Sequence, residues 1–146
     1  MKKPRFASGQ PKPVKVFVSH SSIDTWVARQ IASAIQKAGA KVFLDAFDIA
    51  HGDDFNARIQ RETSDCTELL VLLTPWALKR ESIWAELGAF WGRKKRIVVA
   101  LHGVAAKTLT DKESTPAFLK ISDMLELNEL DNYFEQLRQR LKAKSR

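Results

Sequence analysis

The sequence predicts an α/β domain: a flavodoxin-like five-stranded parallel sheet, strand order 2-1-3-4-5, with helices on both faces. Two observations carry that expectation. Short β-branched and aliphatic runs alternate with stretches of helical periodicity, which implies right-handed β-α-β crossovers and one parallel sheet covered on both sides. One run, Glu68-Leu69-Leu70-Val71-Leu72-Leu73-Thr74, is continuously apolar between polar ends, as a central strand buried on both faces must be. No internal repeat interrupts the alternation.

Val14-Lys15-Val16-Phe17-Val18 predicts the first strand, broken by Ser19-His20-Ser21-Ser22. Ser22 or Asp24 then caps a helix to about Ala38, with Trp26, Val27, Ile31, Ala34 and Ile35 on its apolar side and Gly39 as its stop. Lys41-Val42-Phe43-Leu44-Asp45 is the second strand. A loop from Ala46 to about Asp54 contains Gly52, and a short helix follows through Ile59. Glu68–Thr74 is the third strand, and Pro75 opens the segment whose helix ends near Gly92. Arg96 to Leu101 is the fourth strand. Residues 102–118 show little periodicity and read as a long connection with one helical turn. A weaker fifth strand falls between Leu119 and about Leu127. Asn128 then caps a last helix, with Leu130, Phe134, Leu137 and Leu141 at helical spacing.

At 146 residues the chain is one domain with enough length for a real core. Residues 1–13, with Pro4, Gly9, Pro11 and Pro13, read as a disordered basic lead-in; 14–142 form the domain and 143–146 a basic tail. The net charge of +7 sits at the ends: Lys2, Lys3, Arg5, Lys12 and Lys15 at the start, and Arg138, Arg140, Lys142, Lys144 and Arg146 at the finish. The body between them is slightly acidic by count. No aromatic residues interleave with the basic ones, so solvated ends are expected rather than a nucleic-acid surface. No apolar run approaches the ~20 residues of a membrane span, and no apolar segment follows the basic N-terminus as in a secretory signal. Cys66, the only cysteine, rules out an internal disulfide and a multi-cysteine zinc site. The cytoplasm is the simplest location.

Glu86 breaks the hydrophobic pattern. Ile83 lies three residues before it and Phe90 four after, so a carboxylate occupies the apolar stripe of a helix. An unpaired buried carboxylate is costly. A cation partner or chemistry on a ligand would each explain it. Open parallel sheets bind ligands at the carboxyl ends of the strands, where strand order reverses. In the predicted order that point lies between the first and third strands. The first delivers Ser19, His20, Ser21 and Ser22; the third delivers Thr74, Pro75 and the helix with Glu86; the second adds Asp45 and the Gly52 loop. There is no Gly-rich dinucleotide fingerprint and no P-loop. A phospho-acceptor receiver would need acidic residues where Ser19 and Thr74 stand. Ser19 and His20 are adjacent on a strand and point to opposite faces, which argues against a Ser-His hydrolase. His51 and His102 have no companions at metal-ligand spacing, so no metal is expected.

These residues resemble a known family. Val16-Phe17-Val18-Ser19-His20-Ser21-Ser22-Ile23-Asp24 is similar to the first box of Toll/interleukin-1 receptor (TIR) domains. Leu44-Asp45, Asp48-Ile49 and Gly52-Asp53 resemble that family's second strand and BB loop. Leu70-Val71-Leu72-Leu73-Thr74-Pro75 resembles its third strand, and Arg96 to Leu101 its fourth. Ser82-Ile83-Trp84-Ala85-Glu86-Leu87-Gly88-Ala89 is similar to its helix αC. Each motif alone is weak; their order and spacing are specific. With no receptor or leucine-rich segment, the chain resembles a stand-alone bacterial TIR protein.

The resemblance implies an NAD+ glycohydrolase in bacterial antiphage immunity or host interaction. Many bacterial and plant TIR domains cleave the nicotinamide–ribose bond of NAD+ with one essential glutamate, which corresponds to Glu86. The products would be nicotinamide and ADP-ribose or a cyclic isomer. NAD+ is then the substrate, and no cofactor is needed. One carboxylate suffices, because nicotinamide departs from a pyridinium and needs no protonation, while the carboxylate stabilises an oxocarbenium-like ribose. Phe17, Trp76 or Trp84 would stack on a base, or belong to the core. Ser19, His20 and Ser21 would hold ribose or phosphate, or cap a helix. Asp45 and Gly52 would order the BB loop, and Arg80 would meet a pyrophosphate. The family commonly has Trp four residues before the glutamate, where this chain has Ser82. That departure favours the alternative, a non-catalytic TIR–TIR interaction module. In either case self-association or binding to other TIR domains through the BB loop is expected.

Overall fold

Residues 13–44, 55–111 and 123–144 are described in the computed structural model. The elements alternate in the expected order. They are β1 (Lys15–Ser19), α1 (Thr25–Ala38), β2 (Lys41–Leu44), α2 (Phe55–Asp65), β3 (Glu68–Leu73), α3 (Glu81–Gly92), β4 (Arg96–Leu101), α4 (Ala106–Asp111), β5 (Asp123–Glu126) and α5 (Leu130–Lys144). Short 3-10 turns at Ser22–Asp24, Ala77–Lys79 and Leu127–Glu129 lead into α1, α3 and α5. All strand pairs are parallel, in the order β2-β1-β3-β4-β5. The strand order therefore reverses between β1 and β3.

Strand alternation divides the core into two layers. Val16, Val18, Leu70, Leu72, Val98 and Ala100 pack under α1 and α5. Phe17, Leu69, Val71, Leu73, Ile97, Val99 and Leu101 face the other way, against Ile83, Leu87 and Phe90 of α3. Every residue of β3 is buried, as its unbroken apolar run requires. Among the described residues no helix is long and apolar enough to cross a membrane.

Several local expectations are corrected. Trp26 is 69% exposed. The buried positions of α1 are Ala28, Ile31, Ala32, Ile35 and Ala38, and Trp26 lies about 200° around the helix from Ala28. α2 continues past Ile59 to Asp65 despite its polar sequence. Arg58 and Glu62 pair at i,i+4, and Lys95 Nζ caps the end by donating to the carbonyls of Thr63, Ser64 and Cys66 at 2.6, 2.9 and 2.7 Å. Asn128 is not the cap of the last helix. A capping box formed by Glu126 and Glu129 starts the turn before α5. Gly39 does stop α1, with φ at +110°, in the left-handed conformation that glycine adopts readily.

The C-terminal basic cluster is only partly solvated. Arg140 Nη1 and Nη2 donate to the Glu68 carboxylate at 2.9 and 3.0 Å, and the Tyr133 hydroxyl donates to it at 2.6 Å. Glu68 is 2% exposed at the amino end of β3, so this triad ties α5 to the sheet edge opposite the reversal point's carboxyl end. Its hydrogen bonds to Glu68 raise Arg140 above the ordinary guanidinium range. Burial, and then the Glu68 charge, raise Tyr133 well above the ordinary phenol range.

Candidate active site

Ser19 closes β1 and pairs in register with Val71 of β3. It lies two residues after Phe17 and so projects toward α3. The α3 stripe Ile83, Glu86, Leu87 and Phe90 turns toward the same layer. The two projections meet: Ser19 Oγ donates to Glu86 Oε1. Ser19 is 0% and Glu86 1% exposed. A carboxylate thus sits inside an apolar helix face, at the carboxyl end of β1 beside β3. Its interaction with any developing positive charge is strengthened by the low surrounding polarity.

The other expected site residues lie on the segments that carry or adjoin this pair. Arg80, the N-cap residue of α3, directs Nη1 at the His20 carbonyl, a long contact at 3.5 Å that brings a guanidinium to the β1 turn. His20 itself is 2% exposed, and the Ser19 hydroxyl is engaged by Glu86 rather than by an imidazole. Ser21 caps the 3-10 turn Ser22–Asp24, its hydroxyl accepting from the Ile23 amide at 3.3 Å, while Asp24 stands at the N-cap position of α1, as one of the two expected residues, without a side-chain bond to the helix amides. Ser82 is half-buried one turn before Glu86. Trp84 is anchored by its Nε1–H, which donates to the Leu78 carbonyl at 3.1 Å. Trp76 is 48% exposed on the β3–α3 connection. Phe17 is fully buried, its ring set against Phe43 and Phe90 at centroid distances of 4.9 and 5.4 Å, which makes it a core side chain. Asp45 and Gly52, with the rest of the BB-loop segment, lie outside the described residues. A groove of about 450 Å³ between α1 and α5 is lined by Trp26, Ile31, Leu130 and Phe134, and touches none of these residues.

The sequence did not point to a second buried carboxylate at the same edge. Asp24 is 6% exposed and accepts a hydrogen bond from Thr74 Oγ1 at 2.7 Å. Thr74 is fully buried, and its hydroxyl oxygen also accepts from the Ala77 amide at 3.1 Å. The available signal was strand alternation, which puts Thr74 on the α1 side with Leu70 and Leu72, facing the start of α1.

Comparison with known proteins bears on what such a site is for. A family model described as "TIR domain" matches residues 16–142. A relative from Brachypodium distachyon, named "Probable 2' cyclic ADP-D-ribose synthase BdTIR", is 26% identical over 104 residues, which is 70% of this chain and 46% of the relative. The chain thus spans about half the length of that protein. Among solved structures, the TIR domain of the Toll-related receptor TRR-2 from Hydra magnipapillata matches with a TM-score of 0.65 at 21% identity, over 84% of this chain and 97% of that one. A metazoan TIR-STING receptor from C. gigas, solved in complex with 2',3'-cGAMP, matches with a TM-score of 0.67 at 16% identity, over 84% of this chain and 39% of that one. At these identities the two structures attest the fold.

Proposed function

The chain belongs to the TIR domain family, and from that premise we propose that it is an NAD+ glycohydrolase with Glu86 as its catalytic carboxylate. The observation that carries the reading is the burial of Glu86, hydrogen-bonded to Ser19, at the carboxyl edge where strand order reverses. The name of the Brachypodium relative lends support, since a cyclic ADP-ribose is made by breaking the same bond.

In this reading the bond between ribose C1′ and the nicotinamide nitrogen breaks, and its electron pair leaves with nicotinamide, neutralising the pyridinium. Positive charge passes to the ribose. The Glu86 carboxylate faces that charge, and Ser19 holds the carboxylate in orientation while its burial keeps water from screening it. Water then attacks C1′, loses a proton and gives ADP-ribose. Capture by a nucleophile of the same molecule gives a cyclic isomer instead. Trp76 is an exposed aromatic on the β3–α3 connection and is suited to stacking on a base. Arg80 is the cation suited to the pyrophosphate. Asp45 and Gly52 would order the BB loop, through which TIR–TIR assembly is expected. The setting we propose is immunity or host interaction, in the cytoplasm.

The test is nicotinamide release, followed by chromatography with mass detection, from wild type and Glu86→Gln at high protein concentration with crowding. Release from wild type alone is expected, with Glu86→Gln keeping a melting temperature close to that of wild type. The co-product identifies the capture step, because a cyclic isomer is lighter than ADP-ribose by one water. Equal release from both proteins refutes the role of Glu86. No release from either, with both folded and assembled, favours the second reading, a non-catalytic TIR–TIR interaction module. Ser82 is the observation behind that reading, because it puts a small polar side chain where the family commonly carries an aromatic one.

A further inference from the structure

The two buried carboxylates at the carboxyl edge are held in a crossed arrangement. Ser19, from the end of β1, donates to Glu86, which belongs to the helix that follows β3. Thr74, just past the end of β3, donates to Asp24, which belongs to the turn that follows β1. Each of the two central strands thus reaches across to the segment the other one delivers. Alternation puts Ser19 on the α3 side of the sheet and Thr74 on the α1 side, so the links lie on opposite faces.

The Thr74 link extends further. Thr74 Oγ1 accepts from the Ala77 amide, which starts the 3-10 turn Ala77–Lys79. That turn ends at Arg80, the N-cap of α3. The chain Asp24–Thr74–Ala77 therefore sets the height at which α3 begins relative to the β1 turn. Ser19 closes β1 just before that turn, and Glu86 lies in the second turn of α3. Asp24, Thr74 and Ala77 are all buried, so water does not replace a lost bond in this chain.

We propose that Asp24 and Thr74 are positioning residues for the site: their hydrogen bond holds the start of α3 in register with β1 and so presents Glu86 to the substrate. The proposal rests on the glycohydrolase reading for its kinetic consequence and on the structure alone for its mechanical one. It assigns the two residues no contact with NAD+. A displacement of about 1 Å at a reacting group costs on the order of 10²-fold in rate.

The experiment uses the full chain with Thr74→Ser, Thr74→Val, Asp24→Asn, Asp24→Ala and the double variant Thr74→Val/Asp24→Ala. The double variant removes the buried carboxylate and its hydroxyl donor together, so that of this chain only the Ala77 amide loses its acceptor, which limits the cost to folding. Steady-state NAD+ cleavage and hydrogen–deuterium exchange of the segment 75–92 are both measured. Thr74→Ser and Asp24→Asn retain a donor and an acceptor and should stay within about twofold of wild-type kcat. The double variant should lose about tenfold to a hundredfold in kcat with KM little changed. Its Ala77 and Arg80 amides should exchange faster, while those of β3 and β4 keep wild-type protection. A folded double variant with wild-type kcat and wild-type exchange at 75–92 overturns the proposal. So does an Asp24→Asn variant as impaired as Asp24→Ala, because charge rather than the hydrogen bond would then be responsible. If wild type itself releases no nicotinamide, the glycohydrolase reading fails. The exchange arm still decides the brace: faster exchange supports it, and unchanged exchange refutes it.

Discussion

Replacing Arg140 with methionine should cost the protein a large part of its stability. The change keeps most of the apolar stem and deletes the guanidinium. Glu68, at 2% exposure, then loses bonds of 2.9 and 3.0 Å and keeps the Tyr133 hydroxyl at 2.6 Å. Removing one partner of a buried ion pair costs about 3–5 kcal/mol, because the remaining charge stays out of water. The Arg140 side chain is 24% exposed, so some solvent reaches the pair, and the lower end of that range, about 3 kcal/mol, is expected. For a domain of this length that corresponds to a fall in Tm of about 6–12 °C. The assay is urea unfolding followed by far-ultraviolet circular dichroism and tryptophan fluorescence. The midpoint should drop with the m-value unchanged. Tyr133→Phe should cost less, about 1.5–3 kcal/mol, as the loss of one hydrogen bond to a charged group. Converting all three residues together, Glu68→Met, Tyr133→Phe and Arg140→Met, should recover most of the loss, since no buried charge remains in the triad. An Arg140→Met variant within about 1 kcal/mol of wild type would refute the reasoning, because that is how an exposed pair behaves.

Three further outcomes concern Cys66, Tyr133 and Lys95. Burial, and then the Glu62 charge, push the Cys66 thiol up to about 12, so a thiol-directed reagent at pH 8 should label the native protein only as fast as it unfolds. The same shift makes stability fall in alkali: the unfolded thiol ionises near its ordinary value of 9.0 while the folded one stays neutral, and Tyr133 acts in the same direction from its ordinary 10.0. The contribution is complete below about pH 9 and lost progressively above it, which urea midpoints between pH 7 and 11 would show; a flat profile above pH 9 would contradict the burial of both groups. Lys95→Met should destabilise by about 1–3 kcal/mol, since three carbonyls at the end of α2 lose one ammonium donor. Faster exchange of the last turn of α2 would locate the effect, and an unchanged urea midpoint would rule it out.

The sheet was legible because its signals are local and strong. The unbroken apolar run of β3 and the aliphatic run of β4 each require a buried strand wherever the rest of the chain goes, and their alternation with amphipathic helices leaves one sensible topology. Glu86 was legible for the same reason, as a charged residue inside an apolar stripe. The helix ends at Ala38 and Gly92 were legible too, but the end of α2 and the start of α5 were not. A polar stretch such as Phe55–Asp65 carries no stripe to read, and its length depends on Lys95, a residue about thirty positions away. Trp26 looked like a core residue because it is large and apolar, but the helix phase set by Ala28 and Ile31 turns it outward.

By itself the sequence determined the order and kind of the elements, the strand order, and the presence of one carboxylate where none should be buried without a reason. Hydrophobic periodicity encodes these, and periodicity survives in one dimension. Only the tertiary structure decided the partners: Ser19 for Glu86, Thr74 for Asp24, and Arg140 with Tyr133 for Glu68. Each of these pairs joins residues 50 or more positions apart. A buried polar group must find a partner somewhere, but its identity depends on which strand end and which helix face the completed fold brings within hydrogen-bonding distance.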